Sequence, residues 1–229
     1  MQKTRRVLLT AIAGLSLAAI GYAQGPPAGG PPAGGGRAGG GGRGPGGPSF
    51  SVTSSAWPDG GEVPPHYAFA GDNKSPAFDF HWSRGTADAP APDTLKTYAV
   101  IFHDTENSTA RGTTDTLHWS AFNIPGTATG IPEGLGPGDL PDGTRNGPGI
   151  ASSRPGGMPS YFGPGAGAGP IHHYLFEFYA LDTKLDLPAD VKREDLLKAM
   201  DGHVIGKAAY YGRYHNMNPP AARGGGPGR

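Results

Sequence analysis

Residues 172–181, His-His-Tyr-Leu-Phe-Glu-Phe-Tyr-Ala-Leu, show the alternation that most constrains the fold of this chain. Side chains of an extended segment point alternately to its two faces, so every second residue shares a face. One face would carry four bulky rings: His172, Tyr174, Phe176 and Phe178. Aromatic enrichment at a period of two predicts a β-strand over this segment.

Two further segments have the length and composition of strands. Residues 97–102 form a continuous apolar run, which predicts a central, buried strand. Residues 117–123 form a third strand, ended by the turn signal Ile-Pro-Gly at 124–126. Gly- and Pro-rich loops fill much of 126–170. The balance predicts a mainly β fold, an antiparallel β-sandwich with a few peripheral helices, and not a βαβ series.

One longer helix is predicted after Pro188. Asp190 is expected to cap its start, and Gly202 lies near its end. The apolar stripe of this helix is expected to consist of Leu196, Leu197, Met200 and Val204.

The two ends of the chain differ in composition from the rest. Residues 1–23 combine a basic start, a short apolar run and a small-x-small site, which is the pattern of a secretory signal peptide. The run of about 14 apolar residues is shorter than the roughly 20 that a membrane span needs. Residues 24–48 and 219–229 are almost wholly Gly, Pro, Ala and Arg, so they are predicted to be a disordered linker and tail. We therefore expect an exported protein, periplasmic or secreted, without a transmembrane anchor after cleavage and with one domain over 49–218.

The predicted domain is acidic, although the whole chain has a formal net charge of +0. Of the 19 Lys and Arg residues, three lie in the first six positions and four in the Gly- and Pro-rich ends, whereas all 19 Asp and Glu residues lie in the domain. An acidic domain argues against nucleic acid as a partner. The chain has no Cys, so its stability is expected to come from packing and not from disulfides.

Polar side chains stand at the ends of the three predicted strands. Asp104 follows the central strand, His118 lies near the start of the next, and His172 and Tyr174 share a face of the third. Imidazole and phenol groups can donate to phosphate or carboxylate oxygens, and a nearby carboxylate fixes the imidazole tautomer. If the three strand ends converge, these four groups form a small ligand-binding pocket.

A glycine-rich loop, residues 163–170, leads into the third strand and includes Gly163 and Gly169. Its backbone has few side chains to obstruct a ligand, so both glycines are predicted to belong to the pocket. Structural alternatives remain open for several of these positions. The loop could be merely flexible, His118 could be a half-buried structural histidine, and Asp104 could be a turn cap.

Eight short segments, taken in order, form a pattern found in one known family. They are residues 59–65, 71–76, 98–104, 118–125, 130–134, 172–174, 179–188 and 200–204. Together they resemble the phosphatidylethanolamine-binding protein family, in its bacterial Raf-kinase-inhibitor-like branch. The Tyr-Ala-Leu-Asp run at 179–182 and the later Gly-His-Val at 202–204 are the most specific. The resemblance implies a β-sandwich with a small anion-accepting pocket near one edge.

The resemblance also assigns pocket positions residue by residue. They are Asp104, His118, His172 and Tyr174. Glu106 keeps the second acidic group of the family's Asp-Pro-Asp-x-Pro motif, but both prolines of that motif are absent. His173 stands where the Gly-x-His-Arg-Tyr motif has arginine, so a permanent charge with a bidentate fork is lost.

These features favour an exported, non-catalytic binding protein for a small anion or a phospholipid head group. The alternative is an inhibitor or interaction partner of an envelope or secreted enzyme such as a protease, because the family is known for inhibitors. The chain has no Cys, no His-Glu-x-x-His and no Gly-x-Ser-x-Gly motif, so enzymatic activity is not expected. Neither a metal nor a cofactor is expected, although the strand-end histidines and Asp104 include ligand types that zinc accepts.

Overall fold

The alternating segment 172–181 forms a β-strand with the predicted bounds, His172–Leu181, at the heart of a β-sandwich. The computed structural model describes residues 47–108, 111–167, 169–188 and 190–216. Within them, the other two predicted strands are present and are longer than predicted. The strand that contains the apolar run is Thr97–Ser108, and the next, Asp115–Pro125, extends two residues beyond each end of the predicted segment.

The described strands are β1 (Ser49–Thr53), β2 (Gly61–Glu62), β3 (Phe78–Arg84), β4 (Ala87–Asp88), β5 (Thr97–Ser108), β6 (Asp115–Pro125), β7 (Gly130–Ile131), β8 (Arg145–Asn146), β9 (His172–Leu181) and β10 (Val204–Tyr214). The helices are α1 (Ile150–Ser153) and α2 (Arg193–Met200), and a short 3-10 turn spans Pro65–Tyr67.

Two sheets make up the sandwich. The smaller sheet has the order β1-β3-β4, with β7 pairing to β3. The larger sheet has the order β2-β10-β9-β5-β6-β8, in which all neighbours are antiparallel except β10 and β2. Strand β5 therefore lies between β9 and β6, as the continuous apolar run predicts. This order brings the ends of β5, β6 and β9 side by side.

The main core lies between the two sheets and is rich in aromatic rings. Phe176 of β9 stacks on Phe102 of β5 with ring centroids 3.9 Å apart, and it also meets Phe78 of β3 at 5.0 Å. The inward positions Tyr174, Phe176 and Phe178 are fully buried, as the alternation predicts. The mainly β fold with few helices is thus confirmed.

The outer face of the larger sheet is covered as well. Ile101 of β5 and Leu181 of β9 are buried against the segment that contains α2. A strand covered on both faces can carry apolar side chains at every position, which explains the continuous run at 97–102.

The predicted helix is present but shorter than the pattern indicated. It begins at Arg193, and Lys192 precedes it without a side-chain cap, so the prediction of Asp190 as the cap is wrong. Leu196 and Met200 are buried, but Leu197 is 39% exposed and Val204 begins β10. The apolar contact is narrower than expected because two turns of helix offer only one i, i+4 pair to the sheet.

The predicted end segments lie outside the described residues. This applies to the signal peptide 1–23, to the linker 24–48 apart from its last two residues, and to the tail 219–229. Among the helices that the structure describes, none is long and apolar enough to cross a membrane.

Candidate functional site

The structure brings the four predicted pocket side chains together where β5, β6 and β9 end. Asp104 of β5 lies opposite Tyr174 in the β5–β9 register. The Asp104 Oδ2 atom accepts a hydrogen bond from His172 Nδ1 at 2.7 Å. The rings of His118 and Tyr174 meet edge to face with centroids 5.2 Å apart. The convergence that the strand ends suggested is therefore a feature of the fold.

Asp104 is buried, with only 2% of its surface exposed. Its Oδ1 atom accepts the backbone N–H groups of Glu106 at 3.0 Å and Asn107 at 3.2 Å, while Oδ2 holds the imidazole. The carboxylate thus acts as a turn cap and as a pocket group at once. These backbone hydrogen bonds order the turn in a segment without prolines.

His118 is more buried than the half-buried environment predicted for it, with 3% exposure. The Nδ1 atom lies 3.0 Å from the carbonyl oxygen of Phe162 and 3.2 Å from that of Gly163. Carbonyls only accept, so Nδ1 must carry the proton. Burial lowers the pKa of His118, and the neutral ring then presents Nε2 as a hydrogen-bond acceptor.

Tyr174 is fully buried, and its hydroxyl oxygen accepts two backbone N–H groups. They come from Gly165 at 3.3 Å and Ala166 at 3.2 Å. Burial, followed by the nearby Asp104 carboxylate, raises the pKa of this phenol well above its ordinary value. Tyr174 therefore stays a neutral donor at any physiological pH.

The loop before β9 forms one wall of the pocket, but the two predicted glycines differ. Gly163 is part of the wall: its carbonyl contacts His118 and its N–H donates to Asn73 Oδ1 at 2.8 Å. Gly169 is exposed, and its described contact is with His215, 3.5 Å away, and not with the pocket side chains. The structure thus brings Gly163 to the site and leaves Gly169 outside it.

A second imidazole–carboxylate pair lies beside the first. His173 Nδ1 is 2.7 Å from Glu106 Oε1, and the His173 N–H donates to Oε2 at 2.6 Å. Although burial opposes it, hydrogen bonding from His173 and Thr105 lowers the pKa of Glu106. One ligand atom each of Asp104, Glu106 and His172 lie within 4.8 Å of one another.

Some contributors to the site were not predicted from the sequence. Phe162 supplies a carbonyl to His118 although the two are 44 residues apart. Asn73 reaches the same wall from a distant loop. Neither has a local signal, because a backbone carbonyl or an exposed-loop amide has no characteristic spacing. Glu106 did have one, the acidic position two residues after Asp104.

A cavity of about 700 Å³ lies elsewhere, at the β2–β10 edge of the larger sheet. Val63, Ile171 and Tyr214 give it an apolar lining, and none of the four pocket side chains takes part. We place the candidate site at the polar convergence, because polar groups that meet in a buried setting provide the specific contacts of a ligand site. Volume alone does not.

Known proteins resemble this chain over most of the described region. The sequence model of the family described as phosphatidylethanolamine-binding protein matches residues 53–215. A UPF0098 protein of Methanothermobacter thermautotrophicus is 36% identical over 165 residues, which are 72% of this chain and 97% of the relative. The UPF0098 protein YbcL of Escherichia coli is 31% identical over 150 residues, covering 62% of this chain and 73% of YbcL.

Solved structures agree with this assignment. The crystal structure of a putative phosphatidylethanolamine-binding protein homologue from Chlamydia trachomatis aligns with a TM-score of 0.59 and 27% identity, covering 73% of this chain and 98% of that one. The chain belongs to the phosphatidylethanolamine-binding protein family.

Proposed function

We propose that this chain is an exported, non-catalytic binding protein whose pocket holds a small anionic group, such as the phosphate of a phospholipid head group. The observation that carries the proposal is the contact among Asp104, His118, His172 and Tyr174 at the ends of three neighbouring strands. Membership of a family described by phosphatidylethanolamine binding supports a binding role.

The protonation pattern narrows the chemistry of the ligand. The carboxylate of Asp104 holds the Nδ1 proton of His172, so Nε2 remains for a ligand. When His172 is protonated, that atom donates to an anionic oxygen. His118 instead offers an acceptor, because its Nδ1 proton is used by backbone carbonyls. A ligand with an anionic oxygen and a proton of its own, such as a phosphomonoester or an ammonium-bearing head group, suits both rings.

Holding a ligand fits these groups better than breaking its bonds. The chain contains no cysteine nucleophile. The phenol of Tyr174 stays protonated, and the oxygens of Asp104 already have fixed partners. Export is part of the proposal and is supported by the signal-like residues 1–23.

Calorimetric titration with phosphoethanolamine tests the pocket. We expect saturable binding that weakens about tenfold in Tyr174→Phe and in His172→Ala, since each loses roughly one hydrogen bond to the ligand or its surroundings. His118→Ala should weaken binding similarly, provided that its circular dichroism spectrum matches wild type.

His203→Ala is the matched control. His203 also pairs with a carboxylate, Asp182, at 2.8 Å, but this pair is exposed and outside the pocket. Its affinity should equal that of wild type. Equal heats for wild type and the folded pocket variants would contradict the proposed site.

A further inference from the structure

Asp104, Glu106 and His172 form a compact set of ligand atoms. Two carboxylate oxygens from β5 and one imidazole nitrogen from β9 all lie within 4.8 Å of one another. The atoms of an ion's first coordination shell lie about 2.0–2.2 Å from a transition metal, and therefore about 3–4 Å from each other. Small side-chain rotations would place these three atoms around one ion.

The hydrogen bond between His172 and Asp104 already holds two of the three ligand atoms next to each other. The Nδ1 and Oδ2 atoms are 2.7 Å apart with a proton between them. A metal ion can take the place of that proton at Nδ1 while the neutral ring carries its single proton on Nε2, because imidazole binds metals as the neutral ring. Glu106 is oriented beside them by hydrogen bonds from His173 and Thr105, which is the supporting role that partners of metal ligands have.

The two negative charges at this position also favour a bound cation. Asp104 is almost completely buried, and buried carboxylates are paired or bind metals. The ion pairs that the structure describes for Asp104 and Glu106 are both with histidine, and neither is with Lys or Arg. Two carboxylates that face an anionic ligand would repel it unless a positive charge lies between them.

We propose that Asp104, Glu106 and His172 bind a divalent transition-metal ion, with Zn²⁺ as the representative probe. Three protein ligands leave a coordination position open, which an oxygen of the anionic ligand can fill. The mixed oxygen and nitrogen ligands favour Zn²⁺ over Mg²⁺, which prefers oxygen ligands alone. The proposal rests on the proposed function, since Asp104 and His172 also belong to the anion pocket. It can be tested with the metal alone, without an anionic ligand.

Calorimetric titration of tag-free, chelator-treated protein with Zn²⁺ is the decisive experiment. We expect about one equivalent to bind. Glu106→Gln keeps the size of an exposed side chain and should weaken binding at least about tenfold. Asp182→Asn changes the carboxylate of the exposed His203 pair and should leave the affinity unchanged.

The tautomer of His172 gives a second readout. A metal at Nδ1 leaves the single proton of the neutral ring on Nε2, so nitrogen NMR of the His172 ring should show this change of tautomer when Zn²⁺ is added. His172→Ala should weaken Zn²⁺ binding at least about tenfold. No saturable Zn²⁺ binding, equal affinity in Glu106→Gln and wild type, or Mg²⁺ binding as tight as Zn²⁺ would overturn the metal site.

Phosphoethanolamine titrated into the chelator-treated protein separates the two proposals. Zn²⁺ binding without phosphoethanolamine binding to either metal-free or Zn²⁺-loaded protein upholds the metal site and contradicts the anion pocket. Phosphoethanolamine binding without specific Zn²⁺ binding upholds the anion pocket and contradicts the metal site.

Discussion

Gly163 lies where a side chain has no space. A Cβ atom at this position would be 2.2 Å from the carbonyl oxygen of Tyr67 and 2.9 Å from the carbonyl carbon of Ala68. The close approach lets the Gly163 backbone bind Asn73 on one side and His118 on the other. Its glycine is therefore required by packing and not by an unusual backbone angle.

Replacing Gly163 by alanine should both destabilise the protein and weaken the pocket. The added methyl group must push the wall away from residues 67–68, which costs about 1–3 kcal/mol in a packed region. Displacement of the wall would also move the carbonyls that orient His118. Urea denaturation and phosphoethanolamine titration measure the two effects.

Gly169→Ala is the matched control for this change. A Cβ at Gly169 would meet no atom within 4 Å. Its stability and affinity should remain those of wild type. A Gly163→Ala variant that behaves like Gly169→Ala would show that the wall does not depend on this contact.

At the scale of elements, an ionic network ties α2 to the outer face of the larger sheet. Asp115 of β6 contacts both Arg193 of α2 and His103 of β5. The other ring nitrogen of His103 lies 3.4 Å from Glu177 Oε2 of β9, and Glu177 Oε1 is 2.6 Å from Lys207 Nζ of β10. The network thus crosses four neighbouring strands on the face opposite the main core.

The stability of the protein should depend on pH through the carboxylate of Glu177. Its contact with His103, opposed by burial and aided by Lys207, lowers the pKa of Glu177 to about 2 from an ordinary 4.5. A folded-state pKa below the unfolded one stabilises the protein above the unfolded pKa. The contribution, about 3 kcal/mol, should therefore be full above about pH 5 and decline as pH falls towards 2.

Urea denaturation of wild type and Glu177→Gln between pH 7 and pH 3 measures this contribution. The difference in unfolding free energy should be largest at pH 7 and shrink below about pH 4.5. Glu194→Gln, an exposed acidic residue of α2, should show little difference at any pH. A Glu177→Gln difference that stays constant to pH 3 would contradict the assigned pKa.

At the scale of the whole molecule, one sandwich presents its polar pocket at the ends of strands that are otherwise apolar. The larger sheet is covered on both faces, so its strand ends are among the few places where polar groups of β5, β6 and β9 can meet a ligand. A stable sandwich without disulfides is compatible with the proposed export, since the aromatic core supplies the packing.

Export predicts a defined mature protein. Cleavage after the small-x-small site at 21–23 should produce an N-terminus at Gln24. Mass spectrometry of the protein from the cell envelope or the medium identifies that terminus. Deletion of residues 2–20 should retain the protein in the cytoplasm, and a full-length wild-type chain found only in the cytoplasm would contradict export.

Much of the fold was predictable because its signals are local. The period of two at 172–181 and the apolar run at 97–102 depend on residues next to one another, and both strands are present. The helix was less accurately predicted, since Asp190 and Val204 fit a helical pattern but belong to a turn and a strand. Local patterns do not show where tertiary contacts end an element.

The sequence alone determined which residue types stand at the strand ends, and the family resemblance gave the reason to group Asp104, His118, His172 and Tyr174. Only the tertiary structure decided how they meet: Asp104 bonded to His172, His118 held by the Phe162 carbonyl, and Gly163 inside the wall while Gly169 is outside. The cluster with Glu106 also depends on the fold, because His172 is 66 or more residues from the two carboxylates and lies on a different strand. Periodicity sets the face of a side chain, but strand order and register set its neighbours.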